Sequence, residues 1–282
     1  MIYFVDVFGT LVSESDKNTI YGSKNLIRYF NKHNIPYVVV SNNTKIKSED
    51  FLENLKQKGL EIRSDAYLDP FCVLDKVCPK GAVAMFGSEA FINTMTKMGY
   101  TQDLAKPKAV IIASYDNFSF EDFAKIIELV NSGAQLIAMH AGNTYKKNGK
   151  IYPGVGAVVK MLENSTGKVA KVLGKPSRLF YKIAYEKATR QFGSNLYLER
   201  TALMDTGKSA HDLYIDYNEV NFISDDANGD LENAKALGMK TILVLSGKTQ
   251  SLENSGLKKG VINQVFNHVG AFLENIENED ME

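Results

Sequence analysis

Two hydrophobic patterns alternate along the chain. Short, mostly unbroken apolar runs bounded by turn residues occur at Ile2 to Val5, Tyr37 to Val40, Val83 to Phe86, Ala109 to Ala113, Leu136 to Met139, Asn221 to Ile223 and Thr241 to Leu245. Strands that are apolar at consecutive positions have both faces covered, as in the parallel sheets of α/β proteins. Longer segments between them carry apolar residues at helical spacing. Leu26, Ile27 and Phe30 share one face; so do Phe51, Leu52 and Leu55; so do Phe120, Phe123, Ile126, Ile127 and Val130. Ser119 is the expected N-cap of that last helix, and Pro176 the first-turn residue of a helix carrying Leu179, Phe180, Ile183 and Ala184. The alternation of strand and helix predicts an α/β fold with a doubly wound parallel sheet. Asn148-Gly149, between Thr144-Tyr145-Lys146 and Lys150-Ile151-Tyr152, predicts a tight hairpin and an antiparallel edge in the middle section.

A chain of 282 residues, 44% hydrophobic, is long enough for one large domain or two smaller ones. Its 33 basic and 33 acidic side chains cancel, so no sequence-wide field favours nucleic acid or an anionic membrane. Cys72 and Cys78 have no further Cys or His around them and read as ordinary reduced thiols. The first residues lack the pattern of a signal peptide, and no apolar run approaches the roughly 20 residues of a membrane span. A cytoplasmic protein is the expectation. The tail from Glu274 to Glu282 carries five acids and no base, and reads as a solvated, fraying end.

Four segments carry chemistry. Asp6 closes the first apolar run, ahead of Val7-Phe8-Gly9-Thr10-Leu11. A carboxylate at the carboxyl end of a buried strand needs a cation or strong donors, and in open α/β sheets ligands bind at that end. The same Asp could instead cap the following turn. The second run ends in Ser41-Asn42-Asn43-Thr44, whose hydroxyls, amides and backbone N–H groups suit a phosphate. Gly174-Lys175-Pro176-Ser177 puts a Lys ahead of a helix; in isolation it reads as a surface Lys. Asn221-Phe222-Ile223 ends in Ser224-Asp225-Asp226-Ala227-Asn228-Gly229-Asp230, where three acids in six residues suit a bound cation or a helix N-terminus. The pair Gly154-x-Gly156 lacks the third Gly of a dinucleotide loop, and no strand is expected to feed into it.

Together and in this order, the four segments resemble the motifs of the haloacid-dehalogenase (HAD) superfamily of phosphohydrolases over nearly the whole chain. The resemblance implies Asp6 as nucleophile, Ser41 as phosphate-binding hydroxyl, Lys175 as charge-neutralising lysine and Asp225 as Mg²⁺ ligand. Asn42 and Asp230 fall at supporting positions, Asp226 at that of a second ligand, and the backbone carbonyl of Phe8 at that of a third. The segment from Thr44 to Lys175 has room for an inserted α/β cap, whereas that from Asp6 to Ser41 has none. This looks like the branch of p-nitrophenyl-phosphate and nucleotide phosphatases, marked by Tyr21-Gly22, Ser41-Asn42-Asn43-Thr44, Pro153-Gly154-Val155-Gly156 and Gly174-Lys175-Pro176. The implied organisation is a HAD core over 1–77, a cap over 78–168 and the rest of the core over 169–282. The implied partner is a small phosphorylated substrate, with a homodimer through the cap by analogy.

The chain departs from that pattern in three places. The family's acid/base Asp, two residues after the nucleophile, is Phe8 here, and losing such a group costs about 10²- to 10⁴-fold in rate. In the cap loop Ala138 to Tyr145, His140 and Gly142 replace Asn and Asp; His140 is therefore the candidate to contact substrate or stand in for the lost acid. The connection 195–219, which includes His211, is longer than usual. The expected function is a Mg²⁺-dependent phosphatase working through an aspartyl-phosphate. A non-catalytic phosphate-binding protein is the alternative. A haloacid dehalogenase, which also has an aromatic residue at the Phe8 position but carries its cap elsewhere, is a minor one.

Overall fold

The computed structural model describes residues 1–147, 150–191, 215–253 and 256–279. The chain forms two compact units: Met1–Val40, Leu52–Leu68 and Lys182–Glu282 in one, Ser41–Phe51 and Asp69–Tyr181 in the other. In chain order the strands are β1 (Ile2–Asp6), β2 (Tyr37–Val40), β3 (Tyr67–Leu68), β4 (Gly81–Phe86), β5 (Tyr100–Gln102), β6 (Ala109–Ile112), β7 (Gln135–Ala138), β8 (Thr144–Lys147), β9 (Lys150–Pro153), β10 (Lys171–Val172), β11 (Val220–Ser224), β12 (Lys240–Val244) and β13 (Gln264–Phe266). Each of the seven apolar runs is a strand. The short strands β3, β5, β10 and β13, of two or three residues, are too brief to show a hydrophobic pattern.

The first unit is built on a six-stranded parallel sheet in the order β13-β12-β11-β1-β2-β3. Every residue of β1, β2 and β11 is buried, which explains their unbroken apolar sequences. Val5 pairs with Ile223 on one side, and Asp6 with Val40 on the other. From β1 the chain winds outward to β2 and β3, then returns to build β11, β12 and β13 on the opposite side. The reversal places a topological switch between β1 and β11. The helix Val269–Glu279 takes up the acidic tail as far as Glu279, so most of the segment read as fraying is helical; its end, 280–282, lies outside the described residues.

The second unit carries a five-stranded parallel sheet, β10-β7-β6-β4-β5, and the antiparallel hairpin β8-β9. The hairpin gives the expected antiparallel pairing, while Asn148-Gly149, which the sequence predicts as its turn, lies outside the described residues. Contrary to the sequence reading, a strand does lead into Gly154: β9 ends at Pro153, and the helix Val155–Thr166 follows. As an arm of a hairpin, β9 does not make the parallel strand–turn–helix entry of a dinucleotide site. The helix Phe120–Asn131 starts in a capping box, with Ser119 accepting from the Asp122 N–H and the Asp122 carboxylate accepting from the Ser119 N–H. Its Ile126 and Val130 enter the core with Val110, Ile112 and Leu162, but Phe120 is 88% exposed. At the first helical position the Phe120 ring is exposed and lies T-shaped to Phe123, with centroids 6.1 Å apart. The helix Arg178–Arg190 is capped by Ser177, whose Oγ accepts the Phe180 N–H, so Pro176 precedes the cap instead of occupying the first turn. Cys72 and Cys78 are free thiols. No described helix is long and apolar enough to cross a membrane.

Candidate active site

Open α/β sheets bind ligands outside the carboxyl ends of their strands where the winding reverses. At that place in the first unit, Asp6 ends β1 and Asp225 follows β11; both are buried. Asp225 is held on every side. Its Oδ2 accepts the Lys248 N–H at 2.6 Å, its own N–H donates to Thr10 Oγ1 at 3.1 Å, and its carbonyl accepts the Thr249 N–H at 3.0 Å. Gly9 has a φ of +78°, and a Cβ there would lie 2.1 Å from Asp225 Oδ2. A Cβ on Gly247 would lie equally close to that oxygen and 2.6 Å from the Gly9 Cα. The carboxylate thus sits in a slot between two backbone segments that only glycine leaves open.

Electrostatics marks the same place. Burial pushes the Asp225 carboxyl well above the ordinary carboxylate range; the Asp6 charge adds to this, with smaller pushes from Asp230 and Asp226, and the Lys248 N–H opposes it. Buried carboxylates that repel one another call for a cation. Asp226, expected as a further ligand, is otherwise engaged: Oδ1 accepts the Gly229 N–H at 2.8 Å as the cap of a π-helical turn (Ala227–Leu231), and Oδ2 pairs with Lys248 Nζ at 2.7 Å. Asp230 Oδ2 accepts the Ser224 hydroxyl at 2.9 Å. Among the described residues no group of three or more His, Cys, Asp or Glu side chains is arranged to hold a metal. The carboxylates of Asp6 and Asp225 are hard oxygen donors and few in number. That set fits Mg²⁺, which keeps several of its waters, better than a cation that demands a full protein cage.

Phe8 lies on the turn after Asp6, half-buried, with Lys17 Nζ 4.6 Å from its ring centroid. The phenyl ring itself has no proton to transfer.

The second unit holds the remaining predicted residues. Ser41 is buried directly after β2. Asn42, expected to support a phosphate, directs its amide to the backbone of Lys175: Oδ1 accepts the Lys175 N–H at 2.8 Å and Nδ2 donates to its carbonyl at 3.4 Å. The Ala141 N–H donates to the same carbonyl at 3.1 Å. Lys175, 4% exposed, is therefore fixed at its backbone from two directions. Gly174 permits this approach, since a Cβ there would lie 2.6 Å from Asn42 Oδ1.

His140 is in the same cluster, but not as an acid. Its Nδ1 accepts the Gly142 N–H at 3.1 Å, and Nε2 lies 3.0 Å from Ser114 Oγ. An accepting Nδ1 puts the proton of the neutral ring on Nε2, where it is donated to Ser114. Burial, and then the Lys175 charge, push its pKa down to about 4. A neutral imidazole committed at both nitrogens cannot replace the missing acid. The segment 195–214, with His211, lies outside the described residues. Sequence reasoning missed Ser114 and the loop Ser246 to Thr249. The available signal was that this loop follows an apolar run, though nothing in the sequence placed that run beside β11.

Residues 3–101 match the family of haloacid dehalogenase-like hydrolases, and residues 172–270 match a second, HAD-hydrolase-like, family. The acid sugar phosphatase of Staphylococcus haemolyticus is 27% identical over 190 residues, 65% of this chain and 71% of that protein. The p-nitrophenyl phosphatase of Archaeoglobus fulgidus has the same fold, with a TM-score of 0.71 over 97% of this chain and 98% of its own at 22% identity. The glycerol phosphate phosphatase of Mycobacterium tuberculosis, solved in complex with magnesium, gives 0.63 over 96% and 75% at 18% identity. The first family match spans Asp6, Phe8, Ser41 and Asn42, the second Lys175, Asp225, Asp226 and Asp230, and the chain belongs to the haloacid dehalogenase-like hydrolases.

Proposed function

We propose that the protein is a Mg²⁺-dependent phosphatase of a small phosphorylated metabolite, working through an aspartyl-phosphate on Asp6. The observation that carries this reading is the buried Asp6 and Asp225 pair at the switch point of the first sheet, where burial and then the Asp6 charge raise the Asp225 carboxyl. Sugar and glycerol phosphates, the substrates in the names of a relative and a structural neighbour, support a small polyol phosphate as the substrate class.

In the first step an Asp6 carboxylate oxygen attacks phosphorus in line; the aspartyl–phosphorus bond forms as the bond to the ester oxygen breaks. In the second, water attacks the same phosphorus and releases inorganic phosphate, regenerating the Asp6 carboxylate. Ser41 and Lys175 stabilise charge on the phosphoryl oxygens, and Asn42 fixes the backbone from which Lys175 extends. Mg²⁺, when held by Asp6, Asp225 and the Phe8 carbonyl, neutralises charge between nucleophile and phosphate. With neither Phe8 nor His140 supplying a proton, the leaving oxygen departs readily only where it is stable as an anion. A polyol phosphate, whose alkoxide leaves poorly, is therefore turned over slowly, and p-nitrophenyl and acyl phosphates are the faster test substrates.

The same lack of a proton carrier favours one second reading: a phosphate-binding protein that has lost turnover. Hydrolysis of p-nitrophenyl phosphate, acetyl phosphate and glycerol phosphate, with and without Mg²⁺, tests both. Turnover that requires Mg²⁺ and vanishes in Asp6→Asn is expected. Undiminished turnover in Asp6→Asn rules out covalent catalysis, and Mg²⁺ and phosphate binding without turnover of any ester establishes the second reading.

A further inference from the structure

The loop after β12, Ser246-Gly247-Lys248-Thr249, has no place in the four motifs, yet it touches both strand ends of the proposed metal site. Ser246 Oγ donates to the Gly9 carbonyl at 2.7 Å, on the turn that follows Asp6. Gly247 closes one wall of the slot around Asp225. The Lys248 and Thr249 N–H groups donate to the carboxylate and the carbonyl of Asp225. Thr249 Oγ1 accepts the Ala227 N–H at 3.1 Å, and Lys248 Nζ reaches Asp226 at 2.7 Å. Five polar contacts from Ser246, Lys248 and Thr249, with the close approach of Gly247, all fall on the two turns that bear Asp6 and Asp225.

We propose that this loop is a positioning clasp for the Mg²⁺ site and that Lys248, by tying Asp226, is the positioning residue that holds it shut. The inference rests on the metal site assigned above. An ion pair this exposed adds little to folding stability by itself, because water screens it and both side chains lose freedom in making it. Its effect is local: Asp226 caps the turn that begins two residues after Asp225, so the Lys248 bridge couples that turn to the N–H that orients the Asp225 carboxylate. Outer groups that orient metal ligands commonly change metal affinity by about 10- to 100-fold when removed.

Charge and position make opposite demands on Lys248, which is what makes the inference testable. A cation near the site repels Mg²⁺; if Lys248 acted only through its charge, Lys248→Met would bare Asp226 and tighten Mg²⁺ binding. If it acts as a clasp, the same change weakens binding. Calorimetric titration of the full chain with Mg²⁺ alone, alongside thermal melts, separates the two. Lys248→Met should weaken Mg²⁺ about 10-fold with an unchanged melting temperature, Lys248→Arg should restore binding to within about threefold, and Ser246→Ala, an independent change in the clasp, should also weaken it. Asp225→Ala is the reference. If it abolishes binding while Lys248→Met and Ser246→Ala bind as tightly as wild type or tighter, the clasp is refuted and the metal site stands. If Asp225→Ala binds like wild type, the metal site itself is misassigned and the clasp falls with it.

Discussion

Lowering the pH from 7 to 4 should cost the second unit stability through one side chain, His140. In the folded protein its pKa lies at about 4, against 6.5 for an unperturbed imidazole, because burial and the Lys175 ammonium both disfavour the charged ring. The folded pKa is depressed, so between these values the unfolded chain binds the proton and the folded one does not. The contribution is fully present above about pH 6.5 and is lost progressively as pH falls towards 4. At 1.36 kcal/mol per pH unit the separation corresponds to at most about 3 kcal/mol, an upper bound because the residue keeps part of its surface in water. Protonation also forces Nδ1, which accepts the Gly142 N–H, to become a donor facing a donor. The Hε1 resonance of His140, assigned by its disappearance in His140→Gln, should titrate below pH 5. Urea unfolding at pH 7 and pH 4.5 should show wild type losing more stability than His140→Gln. A midpoint above pH 6, or parallel pH dependence in the two proteins, would refute both the burial argument and the exclusion of His140 as an acid.

Three further outcomes are expected. Gly9→Ala should lower the melting temperature and abolish Mg²⁺ binding in calorimetry, since a side chain at a φ of +78° costs about 1–2 kcal/mol and its Cβ would occupy the Asp225 slot. Asn42→Ala should strip the Lys175 N–H of its acceptor, at about 1–3 kcal/mol for a buried group, and reduce kcat on p-nitrophenyl phosphate while leaving Mg²⁺ affinity unchanged. Phe8→Asp should raise glycerol phosphate hydrolysis by about 10²-fold, the low end for a general acid–base group, and p-nitrophenyl phosphate hydrolysis much less, because nitrophenolate leaves without a proton; an equal effect on both esters would remove proton transfer from the explanation.

What could be read from the sequence was whatever depends on local pattern. The buried strands were legible because β1, β2 and β11 are covered on both faces, so their apolar runs are unbroken. Ser119 was legible because a cap is set within one turn of chain. Phe120 was misread for a related reason: helical spacing puts it on the same stripe as Phe123, but as the first residue of its helix it is exposed, and burial at a helix end depends on tertiary packing that spacing does not show. The acids around Asp225 show the other limit. Spacing alone does not rank Asp225, Asp226 and Asp230; the family resemblance singled out Asp225, and the hydrogen bonds give Asp226 to Lys248 and a turn, and Asp230 to Ser224.

The partner of Asp226, Lys248, could not be anticipated. It lies 23 residues beyond Asp225 in sequence, and their proximity follows from β12 pairing with β11 in parallel, with Ser224 opposite Leu243, so that the two strands release their loops at the same edge. Catalytic motifs in such a sheet are legible one strand end at a time, because each must supply a distinctive residue to the reaction. A loop that orients those residues does so largely through backbone N–H groups and the absence of side chains, as Gly9, Gly247 and the Lys248 and Thr249 amides do here. Neither of those leaves a chemical signature in the sequence. The sequence therefore shows the groups that could react more readily than the groups that aim them.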